Sequence, residues 1–297
     1  MLQIKCPIAD EWVDPIEAYL CEAVRSNWSI FNVREGEPYF LMGYFQDEAV
    51  LYAEYGELCR EFTCLPDQPE LIELEDIEWQ EAYKAYLQPW SFGILHWVPV
   101  WQRESYAVPA GEKAIYLDAG MAFGTGSHET TRLMAMRLLD FYQNCTADDK
   151  RAKRVIDAGC GSGILAISAA ALGFRSVYGF DRDPEAIRVS RANSICTQLS
   201  DNSIEFVEAG LEAGLEGRTA DLLLANIQAE VLQIHADGLL KAVAPGGTLC
   251  LSGILLKELD QVRGVFEDLA GKLLKGAVQV DARHEGEWSD LKIVLPL

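Results

Sequence analysis

The sequence predicts an α/β protein in which a doubly wound, mostly parallel sheet of seven strands follows a smaller α+β unit. Three observations carry this. From about residue 113 onward, short apolar runs alternate with helical patterns, as in a sheet covered by helices on both faces. Residues 1–75 follow the order strand, helix, strand, strand, helix, strand of a ferredoxin-like unit. Apolar residues make up 49% of the 297 and charged residues 24%, a balance that supports a packed core in one large or two moderate domains.

In the first unit the pattern gives a strand over 2–6, a helix over 15–25, strands over 29–34 and 39–45, a helix over 48–62 and a strand over 71–75. Glu35-Gly36-Glu37-Pro38 supplies the turn between the middle strands. Residues 76–90 place Trp79, Tyr83, Tyr86 and Trp90 three or four apart, which predicts an amphipathic helix ended by Pro89. It would link a domain over 1–75 to one over 91–297. In the second domain the strands are expected at 154–158, 176–180, 203–207, 221–225 and 248–253, with helices at 163–172, 184–196 and 230–243. Two last runs, 277–282 and 290–294, flank His284-Glu285-Gly286-Glu287 with no room for a helix and should pair as an antiparallel hairpin at the sheet edge.

Charge and composition exclude several function classes. With 46 acidic and 25 basic side chains the formal charge is −21, which argues against direct nucleic-acid binding, since phosphate neutralisation needs clustered cations. The excess is uneven: residues 1–115 hold 21 acidic and 7 basic groups, a net −14, against a net −7 for the remainder. Such a face keeps a protein dissolved or steers a cationic macromolecule. The eight cysteines include no CxxC pair and the four histidines no HxxxH spacing, so reduced buried thiols are expected and a metal site is not. The start lacks a signal-like apolar run, and the longest small-apolar stretch is about half of the roughly 20 residues a membrane span requires. A cytoplasmic protein without membrane contact, and a monomer, is the expectation.

Four segments carry chemistry. Val155-Ile156-Asp157-Ala158-Gly159-Cys160-Gly161-Ser162-Gly163 reads as an apolar strand, a turn with three alternating glycines and a helix start. Bare main chain there lets a ligand lie close, and a helix N-terminus offers N–H groups to an anion. A dinucleotide fingerprint would need its third glycine at 164, which is Ile. Asp181 ends the next strand, where a carboxylate can accept hydrogen bonds from both ribose hydroxyls. Its other possible task, capping the helix that begins at Pro184, suits Asp183 better. Asn226 ends the strand Asp221-Leu222-Leu223-Leu224-Ala225 and should face the same crevice, unless it merely caps the helix that follows. Upstream, Gly120-Met121-Ala122-Phe123-Gly124-Thr125-Gly126-Ser127-His128 lacks the Lys of a triphosphate-binding loop and reads as a glycine-rich turn into a helix capped by Ser127 or Thr130. His128 is expected to be a capping or solvated side chain.

The Asp157 to Gly163 spacing resembles that of S-adenosylmethionine-dependent methyltransferases. Together with Met-Ala-Phe-Gly-Thr-Gly-Ser-His-Glu-Thr-Thr at 121–131, Asp181 and Ala-Asn-Ile-Gln-Ala at 225–229, the chain looks like the PrmA family, bacterial methyltransferases that modify ribosomal protein L-eleven. The resemblance covers about the last 200 residues and continues more faintly upstream. It implies a Rossmann-like seven-stranded class I methyltransferase domain behind a ferredoxin-like domain that grips the basic ribosomal protein. It further implies S-adenosylmethionine as cofactor, S-adenosylhomocysteine as product and no metal. The cofactor would be held by Phe123, Thr130, Thr131, Asp157, Gly159, Gly161, Gly163, Asp181 and Asn226. Asn226 and Thr130 would serve the methyl transfer to lysine or N-terminal amines, with Asn226 holding the target amine. The chain departs from the family pattern at Ala82-Tyr83-Lys84, at Gln228 and at Val231, which bears on substrate more than on cofactor. A methyltransferase of another protein or small molecule, and a non-catalytic adaptor for a basic ribosomal protein, share the same cofactor residues. A base methyltransferase usually shows an aromatic and prolines after the strand-end amide, where this chain has Ile227-Gln228-Ala229.

Overall fold

A computed structural model describes residues 2–22, 27–32, 39–73, 87–118, 128–199, 204–274 and 276–297. The chain divides into two units, Met1–Tyr86 and Leu87–Leu297.

The first unit runs β1 (Leu2–Ile8), α1 (Val13–Glu22), β2 (Trp28–Asn32), β3 (Tyr39–Phe45), α2 (Glu48–Glu61) and β4 (Glu70–Glu73). Its sheet has the order β2-β3-β1-β4 with every neighbouring pair antiparallel, the ferredoxin-like arrangement that the element order predicted. Helix α2 starts where the Asp47 carboxylate accepts the N–H groups of Ala49 and Val50 at 2.7 and 3.2 Å. It then buries Leu51, Tyr55 and Leu58, three and four apart, against Ile4, Cys6 and Ile8, which alternate along β1. The turn over 35–38 and residues 74–86 of the expected linker helix lie outside the described residues.

The second unit opens with a three-stranded sheet that the sequence pattern did not suggest: β5 (Trp90–Phe92), β6 (Leu95–Pro99) and β7 (Lys113–Leu117). Trp90 therefore stands in a strand and not on a helix, and its ring stacks on Trp97 at 3.8 Å between centroids. Next come α3 (Glu129–Gln143), α4 (Ala147–Ala152), β8 (Arg154–Ala158), α5 (Ile164–Ala171), β9 (Ser176–Asp181), α6 (Pro184–Cys196), β10 (Ile204–Glu208), α7 (Leu211–Leu215) and β11 (Ala220–Asn226). The chain finishes with α8 (Ala229–Ile234), α9 (Ala236–Lys241), β12 (Val243–Leu255), α10 (Leu259–Leu273), β13 (Gln279–Glu285) and β14 (Trp288–Val294).

The large sheet has the order β10-β9-β8-β11-β12-β14-β13. It is parallel through β12, and β14 joins β12 antiparallel and pairs with β13 as the expected edge hairpin. Alternate residues feed opposite faces. Val155, Leu222, Leu224 and Cys250 meet α3 and α5, whereas Ile156, Leu223, Ala225 and Leu251 meet α8, α9 and α10. Burial on both faces is why these strands read as unbroken apolar runs. The helix expected over 230–243 is two helices that meet at His235 (φ −101°, ψ 14°), and the chain is already in β12 at Val243. Among the described residues no helix is long and apolar enough to cross a membrane.

Candidate functional site

Strand order reverses between β8, whose other neighbour is β9, and β11, so the carboxyl ends of these three strands border one crevice. The ends are Ala158, Asp181 and Asn226.

The turn after β8 holds Gly159, Gly161 and Gly163 at φ 71°, 51° and 79°, in the left-handed region that favours glycine. Gly159 and Gly161 are partly exposed, while Ala158, Cys160 and Ser162 between and beside them are buried. A Cβ on Gly163 would stand 2.8 Å from Ser190 Cβ of α6, so the third glycine is set by helix packing. The turn is tied down from several sides. The N–H groups of Gly159 and Cys160 both donate to Phe180 O at 2.9 Å, and Gly163 N–H donates to Cys160 O at 2.8 Å. Asn193 of α6 donates to Ser162 O at 3.0 Å and accepts Asp118 N–H at 2.8 Å, which couples the turn to the end of β7.

Both predicted carboxylates also hold main chain. Asp157, buried on the α5 side of the sheet, accepts Ala166 N–H at 2.9 Å, pinning the first turn of α5. Burial pushes its carboxyl up to about 7 against the pull of that hydrogen bond, with a smaller push from Asp181. Asp181 is partly exposed, and its two oxygens accept the N–H groups of Gly161 and Asp183 at 2.9 and 3.0 Å. Asp183 caps α6 by accepting Glu185 N–H at 2.9 Å, as its position before Pro184 foretold. The amides of Gly159, Cys160, Gly161 and Gly163 are thus bonded within the protein, and the N–H groups expected to be offered to an anion are those at the start of α5. Gly163 brings no side-chain acceptor to the first helical amides, Ile164 and Leu165.

Helix α3 brings the upstream motif to the same place. Its cap is His128, one of the two roles expected of that residue, rather than Thr130, one of the two caps expected for the helix; Ser127, the other, and Phe123 lie outside the described residues. His128 Nδ1 accepts Thr130 N–H at 3.3 Å and sits 2.8 Å from the Thr130 hydroxyl. Burial lowers the imidazole from its ordinary range, with Glu129 opposing. Of the two buried threonines it is Thr131 that meets Asn226, whose Nδ2 donates to Thr131 Oγ1 at 3.4 Å. The end of the Asn226 amide not used on Thr131 is its carbonyl, Oδ1.

Sequence reasoning missed Asn193 and an ionic group behind the site. Arg137, on the sheet-facing side of α3, is fully buried and donates from Nε and Nη2 to the buried Asp290 at 2.8 and 2.6 Å, and from Nη1 to Asp281. Burial pushes the Asp290 carboxyl up against the Arg137 fork, while the hydrogen bond from Arg137 holds Asp281 below the usual carboxylate range. The one available signal was an arginine within the apolar stripe Met134, Leu138 and Leu139.

The residues suit an S-adenosylmethionine-like ligand in their chemistry: open main chain at two glycines, a partly exposed carboxylate for hydroxyls, and a strand-end amide. Comparison with known proteins agrees. The family described as "Ribosomal protein L11 methyltransferase (PrmA)" matches residues 25–294. A protein of that name from Deinococcus radiodurans is 36% identical over 221 residues, 71% of this chain and 75% of the relative. One from Pseudomonas aeruginosa is 40% identical over 206 residues, 67% of this chain and 65% of that protein. The chain thus matches between about two thirds and three quarters of the length of these curated relatives. The crystal structure of a ribosomal protein L11 methylase from Lactobacillus delbrueckii subsp. bulgaricus superposes with a TM-score of 0.58 at 28% identity, covering 69% of this chain and 97% of that one.

Proposed function

Because the chain belongs to the ribosomal protein L11 methyltransferase (PrmA) family, whose members take their methyl group from S-adenosylmethionine, we propose that it methylates lysine or N-terminal amines of ribosomal protein L11. The observation that carries this reading is the meeting, at the ends of β8, β9 and β11, of open main chain at Gly159 and Gly161, the Asp181 carboxylate, and an Asn226 amide oriented by Thr131.

Gly159, Gly161 and Gly163 would let the cofactor lie against the turn. Asp181 would accept its ribose hydroxyls, Asp157 would support its ammonium end from beneath, and Phe123, Thr130 and Thr131 would line the transfer pocket. The chemistry the cofactor supplies is a methyl group on a positively charged sulfur, with uncharged S-adenosylhomocysteine as product.

The chain's own task is positioning, worth roughly 7 to 11 kcal/mol in favourable cases. Asn226 Oδ1 accepts an N–H of the incoming amine and so aims its lone pair, while Thr131 holds the other end of the amide. Protonation is the harder problem: an exposed lysine of pKa about 10.4 is neutral only about once in 2,500 molecules at pH 7, a deficit of roughly 4 to 5 kcal/mol. Transfer of the amine into a pocket that excludes water favours its neutral form, and the displaced proton goes to solvent. His128 already spends Nδ1 on Thr130 as helix cap, so no base is assigned.

The test is to incubate the full chain with methyl-labelled S-adenosylmethionine and purified ribosomal protein L11, then map the product by mass spectrometry. Label on lysine or N-terminal amines is the expected result. Label only on another protein of a cell extract would overturn the substrate, and cofactor binding without transfer to anything would leave an adaptor.

A further inference from the structure

Helix α3 is tied to a single rung of the large sheet at three points, and only one of them is in the site. In register across the sheet, Asn226 of β11 stands beside Ser252 of β12, Ser252 beside Asp290 of β14, and Asp290 beside Arg283 of β13. Partners in register project to the same face, here the face that α3 covers. At one end of the rung Thr131 of α3 meets Asn226. Further along, Arg137 of α3 meets Asp290 through two hydrogen bonds and Asp281 through another. Arg137 lies six residues beyond Thr131, about 9 Å along the helix axis, so a shift of α3 at one is carried by the helix to the other.

The hairpin grips the start of α3 as well. Trp288 meets the His128 ring edge-on at 5.0 Å between centroids, and Glu285 pairs with Arg132 at 2.7 Å. At the far end of the rung Asp140 of α3 pairs with Arg283, but that pair is exposed to water, which screens it; the remaining contacts of α3 are mostly aliphatic, through Leu133, Met134, Leu138 and Leu139. Contacts of that kind are non-directional and fix a helix along its own axis only loosely. A planar guanidinium held by both oxygens of a buried carboxylate is directional, and setting register is the best-attested use of such a pair.

From this geometry we infer that Arg137 and Asp290 are positioning residues for methyl transfer: their ion pair sets the placement of α3 and through it the Thr131 hydroxyl that orients the Asn226 amide. Neither touches the crevice. The inference rests on the function proposed above, so its test has one arm that needs no turnover.

The test replaces the pair by apolar groups of similar size, Arg137→Met with Asp290→Leu, an exchange that leaves no buried charge unpaired. In a crystal structure of the ligand-free double variant, the separation of Thr131 Oγ1 from Asn226 Nδ2 is expected to lengthen beyond hydrogen-bonding reach; an unchanged separation overturns the inference whatever the substrate proves to be. With a substrate that the wild type methylates, kcat is expected to fall about 10- to 100-fold. KM and sinefungin affinity should stay within about twofold, because the glycine turn, Asp157 and Asp181, which are proposed to carry the cofactor's ammonium end and ribose, are untouched. In a Thr131→Val background the same double change should lower kcat by less than about twofold, since the link it acts through is already cut.

A full additional loss in the Thr131→Val background, or a parallel loss of sinefungin affinity, would assign the pair to general stability and overturn its positioning role. Should the double variant fail to fold, Arg137→Lys, which keeps the charge but not the fork, decides: a several-fold lower kcat at unchanged KM supports the inference and a wild-type kcat overturns it. A wild type without any methyl transfer defeats the proposed function alone, leaving the crystallographic arm in force.

Discussion

Asp157 shows what burial does to a motif residue. Its place after two apolar strand residues was legible, but the sequence could not say that both the carboxylate and the helix it pins would be cut off from water. Burial pushes the carboxyl from 3.8 to about 7, so the folded state binds its proton more tightly than the unfolded chain does. The resulting stabilisation is complete below about pH 4 and is lost as pH rises through about 7. Thermal unfolding of the ligand-free protein should therefore show stability falling on the order of a few kcal/mol between about pH 5 and about pH 8. Asp157→Asn should flatten that fall, and an identical slope in both proteins would contradict the assignment. Asn226 gives a kinetic prediction. Asn226→Ala should abolish turnover while calorimetry with sinefungin still shows near wild-type affinity, whereas normal methylation by the variant would remove Asn226 from the mechanism.

Among the elements, the helices at 184–196 and 48–61 followed their local signals, Asp183 before Pro184 and Asp47 before an apolar spacing of three and four. The break at His235 did not. Ala229, Leu232, Ala236, Leu239 and Leu240 suit one helix as well as two, and both halves bury them in the same core. The glycine turn was legible by spacing, yet its three positions answer to different needs: Gly159 and Gly161 leave main chain open, and Gly163 lets α5 approach α6. Gly163→Ala would combine a left-handed backbone with a clash at Ser190 and should cost about 2 to 4 kcal/mol in urea unfolding. A loss below about 0.5 kcal/mol, the range of ordinary surface changes, would show that α6 gives way easily.

At the scale of the whole molecule, the charge of −21, with a net −14 in residues 1–115, sets an expectation for association with a basic ribosomal protein. Binding of the full chain should weaken steeply as salt rises, chiefly through a slower on-rate, and salt-independent binding in a titration would dismiss electrostatic steering. Sequence by itself determined the succession of elements, the glycine turn, the strand-end Asp181 and Asn226, and the family. Each of these is written within a few consecutive residues, where helix and strand periodicity and turn sterics act locally. Tertiary structure decided that Thr131 and not Thr130 meets Asn226, 95 residues away, and that Arg137 finds Asp290 across 153 residues. It also placed Trp90 in a strand stacked on Trp97. Such pairings depend on strand register and on how a helix settles over a sheet, and both are fixed by packing between segments far apart along the chain, for which local patterns carry no term.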